Sequence, residues 1–348
     1  MRSSTGLLFP GNVLIIDSAG KMPTVMNYSF TVQQNLGRGV IVDVGYVGSL
    51  GRHLMWQRNL NAIQLGANFD PKNADTTNRG VVMPAPFLRP MVGYGNVSYR
   101  EWASTSNCRS MQVAGSRRFS RGVQFGASWT WSKAMGFNDA DTDNVSSLIP
   151  VRVWNYGLPG YDRTHVLKVN WMWDVPKGPW KALPLRIALH DWQISGIASF
   201  TSGAPLGLGL QTTTAYDITG SPTDGARANV TGNPVLPKSE RTFSRNSRTD
   251  VFQLPAKGTF GNAASTSFRG PGVNNWDVAI FKSFLVHEAM KFQFRWEFYN
   301  AFNHTQFSAH DATARFDPAT GQQVNARFGE FTVARTPRIM QLALRFYF

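Results

Sequence analysis

The chain has 348 residues, 42% of them hydrophobic and 13% aromatic, which is ample for a folded protein and too apolar for a disordered one. Its net charge is +14, from 35 basic against 21 acidic residues, and its only cysteine, Cys108, excludes an internal disulfide and a cysteine-based zinc site. No stretch approaches the roughly 18 apolar residues of a membrane helix, so a membrane crossing would need a closed barrel of strands, because lipid offers backbone N–H and C=O groups no other partner.

Residues 1–11 carry one arginine and the short apolar stretch Leu7-Leu8-Phe9, without a long apolar region or a small-residue cleavage site. No signal peptide is expected, which for an exported protein places the true N-terminus upstream. Val13-Leu14-Ile15-Ile16 reads as the tail of a preceding strand. The first clear strand sets Tyr28, Phe30 and Val32 against Ser29, Thr31 and Gln33. A tight turn, Leu36-Gly37-Arg38-Gly39, leads to a strand with Val40, Val42, Val44 and Tyr46 on one face. That strand continues toward residue 60 past a glycine-marked irregularity at 48–51.

A long loop is expected over 61–107, holding Asp70-Pro71-Lys72-Asn73, Pro84-Ala85-Pro86 and a minor hairpin arm at 97–102. Met111, Val113 and Gly115 begin the next strand, Phe119-Ser120-Arg121-Gly122 turns the chain, and Val123, Phe125, Ala127, Trp129 and Trp131 line the strand that follows. The opposite face of that strand carries only small or amide side chains, which suits a wet lumen. After a loop over 133–162, Leu167, Val169, Trp171 and Trp173 alternate with Val166, Lys168, Asn170 and Met172. A connection over 176–189 precedes a strand over 192–201, and the longest loop spans 202–272. Trp276, Val278 and Ile280 mark the next strand, which turns near His287-Glu288. Then Phe292, Phe294, Trp296 and Phe298 face one way and Lys291, Gln293, Arg295 and Glu297 the other. A loop over 304–337 leads to the final strand, where Met340, Leu342, Leu344, Phe346 and Phe348 share a face. Outer-membrane barrels commonly end on such a strand, so Leu344, Phe346 and Phe348 are read as the segment offered to the barrel-assembly machinery.

Connections alternate in length: short or moderate near 37, 121, 182 and 287, long near 85, 148, 237 and 320. Transmembrane barrels have short periplasmic turns and longer extracellular loops, and a soluble sandwich has no reason to sort its loops by parity. Trp131, Trp173, Trp192, Trp276 and Tyr347 collect near strand ends, as in the aromatic girdles at lipid headgroups. The expectation is therefore an all-β, antiparallel transmembrane β-barrel in the outer membrane, with Trp129, Trp131, Trp171, Phe292, Phe294, Trp296 and Phe298 facing lipid. Bacterial single-chain barrels have even strand numbers, whereas about nine spanning strands are counted here. The chain then reads as the C-terminal portion of a larger barrel, with a smaller barrel and one miscounted strand as the alternative.

The motifs carry a resemblance. Asp43-Val44-Gly45-Tyr46-Val47-Gly48-Ser49 is followed by Gly51-Arg52-His53-Leu54, and Arg117-Arg118-Phe119-Ser120-Arg121-Gly122 by Ser128-Trp129-Thr130-Trp131-Ser132-Lys133. Asp191-Trp192-Gln193-Ile194-Ser195-Gly196 runs on to Ser202-Gly203-Ala204-Pro205, and Gly258-Thr259-Phe260-Gly261-Asn262 to Phe268-Arg269-Gly270-Pro271-Gly272. Phe298-Tyr299-Asn300-Ala301-Phe302-Asn303-His304 precedes the final strand. In order and spacing the chain resembles the C-terminal half of an Oar-like TonB-dependent outer-membrane receptor. That resemblance implies a 22-stranded barrel, an N-terminal plug, a TonB box and often a carboxypeptidase-regulatory-like domain, none visible here. The family's substrates are poorly defined, so none carries over; the partners expected are an unknown small solute or peptide and, only through the missing N-terminal parts, the TonB complex.

Other chemistry is thinly supported. Asn138-Asp139-Ala140-Asp141-Thr142-Asp143-Asn144 resembles the start of a calcium loop, making Asp139, Asp141 and Asp143 candidate ligands. Asn144 and Pro150 stand where an EF-hand wants Gly and Glu, so a solvated acidic loop is favoured. His304 and His310 share a loop without a third ligand spaced to join them. Neither Gly-x-Ser-x-Gly nor His-Glu-x-x-His occurs, so no enzyme and no cofactor are expected. The basic residues cluster in turns and loops, where they would face lipopolysaccharide phosphates; no aromatic-basic alternation offers nucleic acid a platform. The rival readings are a surface-binding or adhesion barrel, an outer-membrane phospholipase and a soluble sandwich.

Overall fold

The computed structural model describes residues 2–3, 6–7, 10–287 and 290–348. Valine, isoleucine and aromatic residues recur at alternate positions, a pattern that suits a pleated surface buried on one side. They form one large sheet whose strands are β1 (Gly11–Ile16), β2 (Thr24–Gly37), β3 (Val40–Asn59), β4 (Tyr94–Ser120), β5 (Val123–Gly136), β6 (His165–Asp174), β7 (Trp192–Thr201), β8 (Val273–His287), β9 (Met290–Tyr299) and β10 (Ile339–Tyr347). From β2 to β10 each strand pairs antiparallel with the next, a nine-stranded meander. The sheet is not closed: β2 and β10 lie at its two edges, and all 14 residues of β2 are exposed.

The meander sorts its connections by end. Arg38-Gly39 and Arg121-Gly122 make tight turns in which both residues have positive φ (53° and 77° in each pair). Such a turn matches the twist of its flanking strands, and glycine adopts its second position without strain. These turns share one end with the 175–191 connection; of the turn expected at His287-Glu288, Glu288 lies outside the described residues. The long connections share the other end.

Two expectations are corrected. The loop placed over 61–107 ends at residue 93, because β4 is one continuous strand of 27 residues. Its upper half pairs with the upper half of β3, Asn59 with Ser98 and Leu54 with Ser104, above a bulge where His53 takes φ 52°. The polar run Ser104-Thr105-Ser106-Asn107 conceals this continuity because a strand projecting beyond the bilayer needs no apolar face. Val13-Leu14-Ile15-Ile16 is not the tail of a preceding meander strand; β1 runs parallel to the upper part of β4, Ile16 opposite Arg100. As expected, β8 runs on to His287, which places Lys282 in the sheet opposite both Trp192 and Phe294.

The long loops are also not structureless. Pro205–Leu206 pairs with Phe268–Arg269, Gly209–Thr212 runs parallel to Thr313–Phe316, and Phe307–His310 pairs with Phe331–Ala334. Between them Ala228, Val251, Phe252, Phe268, Ala314, Phe316 and Phe328 form a buried apolar cluster, with Phe316 only 1% exposed. The clustered apolar core therefore sits in the loop cap, while the large strand aromatics remain at the surface.

Candidate functional site

Cross-strand register assigns every meander side chain to one of two faces. One row runs Val32, Val44, Val113, Trp129, Leu167, Phe200; another runs Phe125, Trp171, Gly196, Val278, Phe298, Met340. On the same face Phe292 opposes Phe346, Phe294 opposes Leu344 and Trp296 opposes Leu342. Trp131 is 52% exposed, Leu344 65% and Phe348 95%, so much of this apolar face has no protein layer over it. Its aromatics pack laterally: Phe292 on Phe346 (centroids 4.7 Å apart), Trp296 on Phe298 (4.5 Å), Trp171 edge-on to Trp276 (5.9 Å). Trp129 stacks flat on His165 (5.9 Å). Two glycines lie under rings on the opposing strand, Gly48 beneath Tyr28 and Gly196 beneath Trp171, so the rings cover exposed backbone.

The opposite face is polar. One row across it reads Gln33, Asp43, Ala114, Ser128, Lys168, Ser199, Asn275. Gln33 Nε2 donates to Asp43 Oδ1 at 2.7 Å and Gln193 Nε2 to Asp174 Oδ1 at 2.7 Å. Arg295 donates to Gln293 Oε1 (2.7 Å) and to the Tyr347 hydroxyl (2.9 Å), and its guanidinium lies 5.3 Å from the Phe281 ring. A face of amides, hydroxyls and paired charges suits a water-filled lumen, where each group keeps its hydrogen bonds.

The cap joins the long loops to one another. Ser221 Oγ donates to the Ile63 carbonyl (2.6 Å), while Thr223 Oγ1 accepts from the Ile63 N–H (2.8 Å). The Asp224 carboxylate accepts from Ser146 Oγ (2.6 Å) and from the N–H groups of Ser147 (2.9 Å) and Leu148 (3.0 Å). Asp162, its side chain 1% exposed, accepts from the Ala134 N–H (2.7 Å) and from Arg269 Nη2 (2.5 Å). A cavity of about 830 Å³ lies where cap meets sheet, bounded by Trp129, Leu167 and Phe200 below and by Lys238, Arg241 and Phe268 above.

Two of the three candidate calcium ligands accept backbone N–H groups. Asp143 Oδ2 accepts from the N–H groups of Asp139 (2.9 Å) and Ala140 (2.8 Å), Asp139 accepts from the Gly160 N–H (3.0 Å), and Asp141 is exposed. Among the described residues no three His, Cys, Asp or Glu side chains are grouped as metal ligands. His304 stacks on Phe302, whereas His310 lies against Phe268 and Phe331. Burial pushes the His310 pKa below the usual imidazole range, and both its ring nitrogens are buried without a partner. The cap core, the Asp162–Arg269 pair and Lys282 escaped sequence reasoning. Only Lys282, a charge in phase with an apolar row, left a readable signal.

No curated protein matches the chain. Among solved structures it is similar to the outer membrane transporter YddB from Escherichia coli (TM-score 0.48, 9% identity, covering 97% of this chain and 34% of that one). It is also similar to the FrpB iron transporter from Neisseria meningitidis (TM-score 0.42, 10% identity, 96% and 32%) and to the ferric-catecholate import receptor Fiu from E. coli (TM-score 0.40, 9% identity, 95% and 28%). The chain thus spans about a third of the length of each. The family model described as the outer membrane beta barrel domain matches residues 2–341. With an antiparallel meander, an uncovered apolar face and nearly the whole sequence inside that match, this chain belongs to the outer membrane beta-barrel domain family and resides in the outer membrane.

Proposed function

We propose that the chain is the C-terminal portion of the barrel of a TonB-dependent transporter of the Oar-like kind, taking part in uptake of a small solute or peptide across the outer membrane. The observation that carries this reading is the pair of unpaired edges on a meander whose two faces differ. In lipid each unpaired backbone group costs several kcal/mol, so β2 and β10 must be joined by further strands, which a larger barrel supplies. The polar face then lines the lumen and the cap covers its outer mouth. Energy coupling through TonB and gating by a plug belong to parts of the protein outside this chain. Leu344, Phe346 and Phe348 engage the assembly machinery as the strand is inserted. Phe292, Phe294, Trp296, Phe298, Trp129, Trp131 and Trp171 meet acyl chains. Above Trp131 on the same face, Arg109 and Lys133 stand opposite one another and exposed, placed to meet lipopolysaccharide phosphates.

The test compares solute depletion from a defined peptide and small-molecule mixture by cells with and without the gene, each with and without an uncoupler. Depletion that needs both the gene and the proton-motive force is expected. Equal depletion in all four cultures would overturn the reading. The cross-linked cap favours one second reading, a surface-binding barrel without active transport. Gene-dependent retention of a solute on the cell surface that ignores the uncoupler would support it.

A further inference from the structure

The connection between β6 and β7 is built unlike the other turns at its end of the sheet. Where β2–β3 and β4–β5 use an arginine and a glycine, residues 175–191 contain the helix Leu183–Leu189, Leu-Pro-Leu-Arg-Ile-Ala-Leu. None of its residues is buried; Leu183 is 65% exposed, and Leu185, Ile187, Leu189 and the preceding Trp180 are between 42% and 51%. A periplasmic turn in water would gain nothing from such residues, and an apolar helix without a core needs another apolar phase.

Its attachment shows which side it lies on. Trp192 Nε1 donates to the Ala188 carbonyl at 2.7 Å. Lys282 Nζ donates to the His190 carbonyl and lies 5.4 Å from the Trp192 ring and 5.1 Å from the Phe284 ring. Trp192 and Lys282 oppose each other on the apolar face, in the row of Phe294. The helix end of the segment is therefore fastened to the apolar face. It also supplies the carbonyl that satisfies a cation in an otherwise apolar row.

Its charge is matched to one phase. Lys177, Lys181 and Arg186 stand against a single acid in the connection, Asp191, which Lys177 holds at 2.9 Å. A seven-residue helix is about 10 Å long, too short to cross a bilayer and suited to lie in its interface. Long basic side chains can reach the headgroups while their stems stay with the apolar residues.

Resting on the lipid-facing reading of the apolar face, we propose that residues 176–190 form an interfacial foot. Leu183 and Ile187, one turn apart on one side of the helix, insert into the periplasmic leaflet of the outer membrane, and Lys181 and Arg186 pair with its anionic phospholipid headgroups. The foot anchors the barrel vertically on the side where β7 stops five residues short of the end of β8.

The test places single nitroxides in a Cys108→Ser background, at Ile187→Cys, at Trp296→Cys in the apolar face and at Thr320→Cys in the cap, using outer-membrane vesicles that carry the full protein. Relaxation by oxygen should dominate at 187 and 296, and relaxation by a water-soluble nickel complex at 320. Arg186→Glu should shift the 187 nitroxide toward nickel accessibility, while Arg186→Lys should not. Nickel dominance at 187 with 296 still lipid-like would overturn the foot and leave the lipid-facing reading standing. Protection of 187 from both reagents would mean that protein covers the helix and would overturn it equally. Nickel dominance at both 187 and 296 would sink both readings.

Discussion

Asp162→Ala should unfasten the cap from the sheet while leaving the meander intact. β5 stays paired with β4 up to Gly136 but has no strand on its β6 side above Trp131, because β6 begins at His165 opposite it. Beyond that point the Ser132 N–H still finds the Thr164 carbonyl (3.0 Å), and the Ala134 N–H then finds Asp162 Oδ1 (2.7 Å). One carboxylate thus continues a backbone ladder and neutralises Arg269, whose side chain is 31% exposed and also donates to the Gly203 carbonyl (3.1 Å). Removing one partner of a buried ion pair costs about 3–5 kcal/mol. Partial solvation of Arg269 argues for the lower end, about 3 kcal/mol or two decades in the local opening equilibrium. Hydrogen exchange followed by mass spectrometry on the peptide around Ala134 reads that opening in membrane vesicles. A double-mutant cycle with Arg269→Ala separates the pair from the ladder contact: it should show coupling of about 2 kcal/mol, well beyond the few tenths seen for independent sites. Unchanged exchange at Ala134, or additive effects in the cycle, would refute the reasoning.

Other outcomes follow from the same geometry. A Cβ at Gly196 would lie 2.4 Å from the Trp171 ring and 2.8 Å from the Asp277 carbonyl. Gly196→Ala should therefore cost about 1–3 kcal/mol in urea unfolding, since neither neighbour yields without strain. His310 has a folded-state pKa held below its unfolded value by burial, so the cap loses stability as pH falls below about 6.5 and keeps it above. Amide exchange across 307–316 should accelerate on acidification in the wild type, and His310→Phe should flatten that dependence. Phe348→Asp should lower the amount of barrel inserted in the outer membrane without changing transcript level; unchanged insertion would remove the assembly role of the terminal strand.

The meander was legible because lipid-type burial imposes a strict two-residue period. Rows such as Phe292, Phe294, Trp296 and Phe298 announce their face without reference to any partner. The Arg-Gly turns were legible for an equally local reason, the positive φ of a two-residue hairpin. The cap was not. Ala228, Val251, Phe268, Ala314 and Phe328 come from segments with no period, and they meet only through contacts among distant loops. β4 was cut short because Ser104–Asn107 lack the apolar alternation that identifies a membrane strand, though the ladder to β3 runs straight through them. Lys282 stood in phase with an apolar row of β8, but its compensation by the His190 carbonyl lies 92 residues away in sequence and was not legible.

The central claim is that the apolar face of the sheet meets acyl chains and the polar face meets water. Phe294→Arg and Gln293→Arg place the same charge one residue apart, on opposite faces of β9. An arginine on the lipid face near the bilayer midplane costs about 2–4 kcal/mol, whereas a lumen substitution is close to neutral. Reversible unfolding in urea should therefore show a loss of about 2–4 kcal/mol for Phe294→Arg and little change for Gln293→Arg. Equal losses, or a larger loss for Gln293→Arg, would contradict the account.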